Sequence, residues 1–434
     1  MKYALVQPRW SFTGSTYFGC PETHLPLELF YARQQIEAAG HDTLLVDAHL
    51  EALEPDAAAR RITSFAPDFV VLTTAPTYLF WRCPQPELRV PALWMQQLRQ
   101  AAPKAVMVAI GPHGSATPAA VRAKLDCDVV VQGEAEQVLP QLAASGQIDG
   151  GYHQTDMARL AALDYRRYPM TLRQHRHHVF SGSGRGAEVE ASRGCPWACT
   201  FCNKTLFRNQ FRERPIPAVL AEVERLVKLG IDYIYFIDEI FGCGKSTQAL
   251  LDGLRRLPVR FGMQTRIDLW NEDTLAALGA AGCVSLECGV ESITPEGRKR
   301  FHKGCRIGTD RIQTLLLAAA QHIPWVQANL IAEEDDDLDA VNAWRASLIA
   351  DGVWVSQPVP VFAFPGTPLY IRLFGPPDDR AWERAHQHYL ATNHARGYYS
   401  DVQDQAPQPL EALEALERQT ANARRLRGSS SRMS

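Results

Sequence analysis

Short runs of apolar, largely β-branched residues alternate with helix-length stretches along the first third of the chain. Residues 3–7, 42–46, 69–73, 105–110 and 128–132 read as strands, and residues 25–39, 90–101 and 135–143 as helices. Nearly continuous apolar strands separated by helices predict a parallel sheet covered on both faces. Sheets of that kind bind ligands outside the carboxyl ends of their strands. Here those ends carry Pro8, a loop over residues 73–78 that includes Thr74 and Tyr78, the run Gly111-Pro112-His113-Gly114, and Gly133-Glu134-Ala135-Glu136. Each glycine also has a plainer reading, as the turn that takes a strand into a helix.

The pattern lapses over residues 151–185, a polar connector with Ser181-Gly182-Ser183-Gly184 near its end. It resumes over residues 186–370. Strands at 188–192, 233–237, 260–265, 284–288, 325–330 and 357–361 are each followed or preceded by a helical run, the first at 217–229 with a proline at its start. This predicts six successive βα units with chemistry at their carboxyl ends. Beyond residue 370 the pattern weakens. Residues 378–389 and 410–426 read as helices, expected to cover the open side of the second domain and shape a substrate pocket, and the serine-rich end reads as disordered. The division expected is therefore 1–150, a linker at 151–185, 186–370, and a helical region at 371–434.

Composition narrows the class only modestly. A chain of 434 residues with net charge −3 has room for two or three domains and lacks the positive excess of a protein that neutralises phosphates. No nucleic-acid partner is expected. No basic segment followed by an apolar run opens the chain, and no stretch of 18 apolar residues occurs, so no membrane span and a cytoplasmic location are expected. Cysteines 20, 83, 127, 243, 283, 288 and 305 are scattered, as free thiols in a reducing compartment would be.

The other three cysteines carry the sharpest signal. Cys195, Cys199 and Cys202 lie in Ala-Ser-Arg-Gly-Cys-Pro-Trp-Ala-Cys-Thr-Phe-Cys, at residues 191–202. Three thiolates at this spacing can hold a cubic iron–sulfur cluster and leave one iron open to a ligand. Zinc is the competing reading, but it usually takes four ligands, and no second CxxC pair or finger-spaced histidine stands nearby. The tract resembles the cluster loop of the radical S-adenosylmethionine (SAM) superfamily. That resemblance implies a partial (β/α)6 barrel, a [4Fe-4S] cluster, and SAM bound at the open iron with Phe201 beside its adenine. It also implies SAM contacts from Asp238 and Glu239 after the second strand of that barrel, Arg266 after the third, and Gly289 and Glu291 in the Gly-Val-Glu-Ser tract after the fourth. For any one strand-end carboxylate, a helix N-cap is the default explanation.

The first domain resembles, in Leu25-Pro26-Leu27-Glu28-Leu29, Ala38-Ala39-Gly40-His41, Ile110-Gly111-Pro112 and Gln132-Gly133-Glu134, the Rossmann-like cobalamin-binding domain that precedes many radical SAM domains. Phe364-Pro365-Gly366-Thr367-Pro368-Leu369-Tyr370 is similar to a closing segment of the same proteins. By that resemblance Pro8, Thr74, Tyr78, Gly111, Gly133 and Glu134 would line a cobalamin site. One departure stands out. The DxHxxG motif that supplies a histidine to cobalt is missing after the first strand. Asp47-Ala48-His49 follows the second strand instead, with Ala52 where the glycine would be. Asp47 therefore reads as a strand-end residue. The space beneath cobalt falls to a side chain among Tyr78, Leu79, Phe80, Trp81 and Arg82, a cluster that reads equally well as packing.

Two further motifs carry no chemistry. Phe241-Gly242-Cys243-Gly244-Lys245-Ser246-Thr247 fails the P-loop spacing, because position 239 is glutamate, so Gly242 and Gly244 are expected to serve a turn. The acidic run at 333–337 reads as a solvated loop and helix start.

Taken together, the resemblances imply a cobalamin-dependent radical SAM enzyme, foremost a methyltransferase. In that scheme one SAM methylates reduced cobalamin and a second yields a 5′-deoxyadenosyl radical. The radical takes a hydrogen from an unactivated carbon, which then collects the methyl group. A cyclase or rearrangement enzyme without methyl transfer is the alternative. A radical SAM enzyme whose first domain binds no cobalamin, or a non-catalytic iron–sulfur or SAM-binding regulator, lies further off. The implied partners are a small-molecule or carrier-linked substrate and an electron donor such as flavodoxin or ferredoxin.

Overall fold

The computed structural model describes residues 1–10, 25–75, 88–148, 150–165, 168, 185–333, 335–359 and 361–395. They fall into two compact units, Met1–Thr155 together with the described part of Phe362–Ser434, and Asp156–Val361.

In the first unit, strands β1 (Lys2–Gln7), β2 (Asp42–Asp47), β3 (Phe69–Thr73), β4 (Val106–Ile110) and β5 (Val129–Val130) form one parallel sheet in the order β2-β1-β3-β4-β5. The order reverses at β1, so β1 and β3 flank a topological switch point, where doubly wound sheets take their ligands. Helices α1 (Leu27–Ala38), α2 (Pro55–Phe65), α3 (Arg89–Ala101), α4 (Pro112–Ala116), α5 (Pro118–Leu125) and α6 (Leu142–Ser145) complete the unit. All five residues of β3 are buried, which explains its unbroken apolar run. Tyr3, Leu5, Leu29, Ile36, Val71, Val108 and Leu139 meet in the core.

Local chemistry accounts for the departures from the predicted elements. Helix α2 is an addition, opened by Pro55 at its first turn and closed by Ala66 in the left-handed region at φ +50°. The single helix expected at 135–143 is instead a 3-10 turn at Leu139–Gln141 running into α6. Pro140 lacks the amide proton that a helix interior needs. The connector also carries structure, since β6 (Gln132–Gly133) pairs with β7 (Tyr152–His153).

The second unit holds the six-stranded sheet. Strands β8 (Gly186–Val189), β11 (Tyr233–Phe236), β12 (Arg260–Thr265), β13 (Cys283–Glu291), β14 (Trp325–Leu330) and β15 (Trp354–Val355) lie side by side in chain order, all parallel. Between β8 and β11, β9 (Ser192–Arg193) pairs antiparallel with β10 (Arg212–Glu213) and so brackets residues 194–211. Helices α7 (Ile216–Lys228), α8 (Thr247–Leu254), α9 (Glu272–Ala280), α10 (Pro295–Arg300), α11 (Thr309–Ala320) and α12 (Leu338–Ala350) alternate with the strands, as a partial barrel requires. The sixth strand comes earlier than the predicted 357–361. It is Trp354–Val355, and Val359 makes only an isolated bridge to Ile331. Pro358 has no amide proton to give a ladder.

The C-terminal segment departs furthest from expectation. Helices α13 (Pro368–Phe374) and α14 (Ala381–Ala395) belong to the compact unit of the first sheet. Trp382 is buried there, its Nε1 donating to Thr117 Oγ1 at 2.7 Å and its ring 4.4 Å from that of His113. This packing is against α4 and the start of α5. The second C-terminal helix expected, at 410–426, lies outside the described residues.

Candidate active site

In the second unit the cysteine loop leaves β9 at Gly194. That residue has φ +87°, and a Cβ there would collide with the carbonyl of Gln210, so only glycine lets the two ends of the loop close on each other. Cys195, Cys199 and Cys202 follow as half-buried thiols, and burial pushes all three up to about 11. Each thiol lies in the field of a nearby cation. Lys204 acts on Cys195 and Cys202, and Lys303 and Arg266 act on Cys199.

Those cations are tethered by carboxylates, Glu239 buried and Asp268 and Glu291 half-buried. Lys204 Nζ lies 2.8 Å from Glu239, Lys303 Nζ 2.8 Å from Glu291, and Arg266 2.7 Å from Asp268. Thiols flanked by fixed positive charge, in a loop closed at both ends, suit a cluster held as thiolates. No group of three His, Cys, Asp or Glu side chains among the described residues converges closely enough for a single ion.

The strand ends place the other predicted residues around this loop. Asp238 and Glu239 follow β11, side by side, with opposite electrostatics. Asp238 accepts the amide of Ala191 at 2.8 Å and the hydroxyl of Ser192 at 2.5 Å. Burial outweighs both hydrogen bonds and pushes it up to about 8. Glu239 accepts from Gly194 N, Lys204 Nζ and Arg208 at 2.7, 2.8 and 3.2 Å. Burial works to raise it too, but Lys204 and Arg208 overcome that and hold it at about 2. Both acidic side chains therefore brace the cluster loop, whose ends they hold together at the site where the SAM contact was expected. The bracing continues inward. Glu190 takes Arg193 through two oxygens, at 3.0 and 2.7 Å, and Arg208 at 3.1 Å, and Arg214 pairs with Glu222 at 2.9 Å, all inside the protein.

The Arg266 guanidinium carbon lies over the Trp197 indole, 4.3 Å from its centroid, with two bonds to Asp268 and one to the carbonyl of Lys303. Phe201 meets Phe301 edge-on at 5.4 Å. Gly289 and Glu291 sit where the β13–β14 register slips. Glu291 is held at φ +66°, and a Cβ on Gly289 would lie 2.6 Å from its carboxylate. A non-glycine residue in that region marks a position whose surroundings over-determine it. The motifs set aside on sequence are accounted for. A Cβ on Gly242 would strike the Trp270 ring, so the backbone there packs tightly. Asp337 caps α12, while Glu333 and Asp335 share Arg300.

The carboxyl ends of the first sheet look different. Gln7 accepts from Thr73 Oγ1 at 2.7 Å, Pro8 is buried beyond it, and Thr74 Oγ1 lies 3.2 Å from His113 Nδ1. Gly111, at φ +121°, would bring a Cβ within 2.7 Å of Thr74 Oγ1. Ser115 Oγ accepts the amide of Gly133 at 2.8 Å. These hydroxyls, the imidazole and the closely packed Gly111 and Gly133 form a buried hydrogen-bonded layer just beyond the strand ends. Glu134 is buried and accepts the amide of Thr155 at 2.9 Å, an internal occupation. Asp47 accepts the amide of Leu50, and His49 Nδ1 the amide of Trp10 at 2.8 Å, which agrees with reading Asp47-Ala48-His49 as local structure. Tyr78 and residues 79–82 lie outside the described residues.

Comparison with known proteins names this arrangement. The B12-binding domain model matches residues 20–143, and the radical SAM superfamily model matches 189–342, spanning the cysteine loop. The chain joins a B12-binding domain to a radical SAM domain. Among curated relatives of this radical SAM chain, a bacteriochlorophyllide d C-12(1)-methyltransferase of Chlorobaculum tepidum is 27% identical over 57% of it. An anaerobic magnesium-protoporphyrin IX monomethyl ester cyclase of Rubrivivax gelatinosus is 24% identical over 67%. The chain spans 56% of the length of each. The solved structure of the radical SAM methyltransferase TsrM from Kitasatospora setae, with cobalamin and a [4Fe-4S] cluster bound, superposes with a TM-score of 0.65 at 18% identity, over 86% of this chain and 77% of that one. The cofactors of the family are a [4Fe-4S] cluster, SAM and cobalamin. No helix among the described residues is long and apolar enough to cross a membrane.

Sequence reasoning missed the inner bracing, Glu190, Lys204, Arg208 and Lys303. One signal was available. Glu188 and Glu190 interrupt a strand that is buried throughout, and a buried carboxylate needs a cationic partner.

Proposed function

We propose that this cobalamin-dependent radical SAM enzyme is a C-methyltransferase acting on an unactivated carbon of a small-molecule or carrier-linked substrate. The observation that carries the reading is the conjunction, in one chain, of a three-thiol loop braced at both ends and a doubly wound sheet with a topological switch point between β1 and β3. The likeness to a bacteriochlorophyllide methyltransferase supports it. When bound, the cluster with SAM supplies a 5′-deoxyadenosyl radical and cobalamin supplies the methyl group.

The chain's own residues orient and exclude. Cys195, Cys199 and Cys202 would ligate three irons of the cluster, and the Glu239 bonds to Gly194, Lys204 and Arg208 fix the loop that presents them. Phe201 would face the adenine of SAM, and Arg266 and Glu291 would stand at its polar end. Thr74 and Gly111 would contact the corrin edge, beside Pro8 and Gly133. An electron donor of the flavodoxin or ferredoxin kind and a cytoplasmic location complete the proposal.

The cyclase relative makes the second reading specific. Anaerobic turnover of the reconstituted enzyme with SAM and a reductant separates the two. A methyltransferase of this kind forms S-adenosylhomocysteine as well as 5′-deoxyadenosine, because it uses SAM in two ways. Formation of 5′-deoxyadenosine alone, with cobalamin bound, contradicts methyl transfer and leaves the cyclase reading.

A further inference from the structure

The loop after α10 forms a second saddle on the cysteine loop. The carbonyl of Phe301 accepts the amide of Thr200 at 3.0 Å, its ring meets Phe201, and Gly304 stands against Trp197. His302 and Gly304, at φ +52° and +66°, turn this loop so tightly that Lys303 points inward. Its side chain is 5% exposed, its ammonium rests on Glu291, and its carbonyl holds Arg266. Of the charges around the Cys199 thiol, that of Lys303 acts most strongly.

A lysine this buried costs several kcal/mol of desolvation unless something offsets it. One carboxylate does so only in part, and that carboxylate is itself held in a strained backbone conformation. The strain and the burial both serve to fix one ammonium beside one cluster ligand. A fixed positive charge in a low-dielectric site favours the more negative of two redox states.

We propose that Lys303 is a tuning residue for the cluster: held by Glu291 beside Cys199, it stabilises the one-electron-reduced state and so eases reduction by a low-potential donor. Glu291 moderates the effect by offsetting part of the charge. The inference rests on the cluster, not on methyl transfer, and iron content scores the cluster separately.

The test is an electron-paramagnetic-resonance titration with dithionite of the anaerobically reconstituted full chain, without SAM, in Lys303→Met, Lys303→Arg and Glu291→Gln. At fixed potential the ratio of reduced to oxidised cluster is expected to fall about tenfold in Lys303→Met, which is about 59 mV for a one-electron couple. Lys303→Arg should restore most of it, and Glu291→Gln should shift the ratio the other way. Wild-type ratios in Lys303→Met and Glu291→Gln, each with full iron, overturn the proposal. So does a loss of SAM affinity in Lys303→Met with the potential unchanged, which would make Lys303 a SAM anchor. If Lys303→Met fails to load iron, Glu291→Gln decides alone, with an unchanged ratio counting against the proposal.

Discussion

The two parallel sheets end in opposite kinds of chemistry. At the carboxyl ends of the barrel strands, Glu190, Glu239, Asp268 and Glu291 interlock with Arg193, Lys204, Arg208, Arg266 and Lys303, nearly all out of water. At the carboxyl ends of the first sheet stand a side-chain amide, hydroxyls, an imidazole and a closely packed glycine, at Gln7, Thr73, Thr74, His113 and Gly111, with no ion pair among them. A cluster that carries charge and changes it needs ligands anchored electrostatically. A large ligand gripped by shape needs room for its edges and few charges. The difference teaches that the two cofactor sites should fail separately.

The largest effect should come from the cysteines. Cys→Ala at Cys195, Cys199 or Cys202 is expected to abolish 5′-deoxyadenosine formation and cut bound iron, while cobalt content stays at the wild-type level. Loss of both metals together would break the comparison.

Next come the braces. Glu239→Gln leaves Lys204 and Arg208 facing a neutral group inside the protein, and should cost about 3–5 kcal/mol in denaturant unfolding together with poor iron loading. Asp238→Asn should cost much less, because burial already keeps Asp238 protonated at neutral pH. A matching loss at the other end is expected from Trp382→Ala, about 3–5 kcal/mol for a buried tryptophan, with iron content intact.

The same pair predicts a pH signature. Folded Asp238 keeps its proton up to about pH 8, whereas in the unfolded chain it gives the proton up near 3.8, so its contribution to stability declines as pH rises between those values. Glu239 is the reverse. Its contribution is full above 4.5 and is lost as pH falls toward 2. Asp238→Asn should therefore flatten stability between pH 4 and 8, and Glu239→Gln should flatten it below 4.5. The smallest effect expected is that of Gly111→Ala, where the added methyl meets Thr74. Weaker cobalamin retention with unchanged iron would sharpen the contrast.

These contrasts also mark what the sequence could carry. The strands were legible because burial on both faces leaves an unbroken apolar run, as in β3. The cluster loop was legible because ligand spacing is local. The sixth strand slipped because Pro358 breaks the ladder within an apolar run. The fate of the C-terminal helices was hidden because Trp382 meets Thr117 and His113 across more than 260 positions, and no local pattern encodes such a partner. The same holds for Asp238 and Glu239. Their types and positions were visible, but only the fold shows that Ala191, Ser192, Lys204 and Arg208 already occupy them.

The most direct test is the metal content of the anaerobically purified protein after reconstitution with iron, sulfide and hydroxocobalamin. About four irons and one cobalt per chain are expected, with the iron lost and the cobalt kept in Cys199→Ala. Four irons without cobalt would contradict the account of the first sheet, and a single zinc in place of iron would contradict that of the barrel.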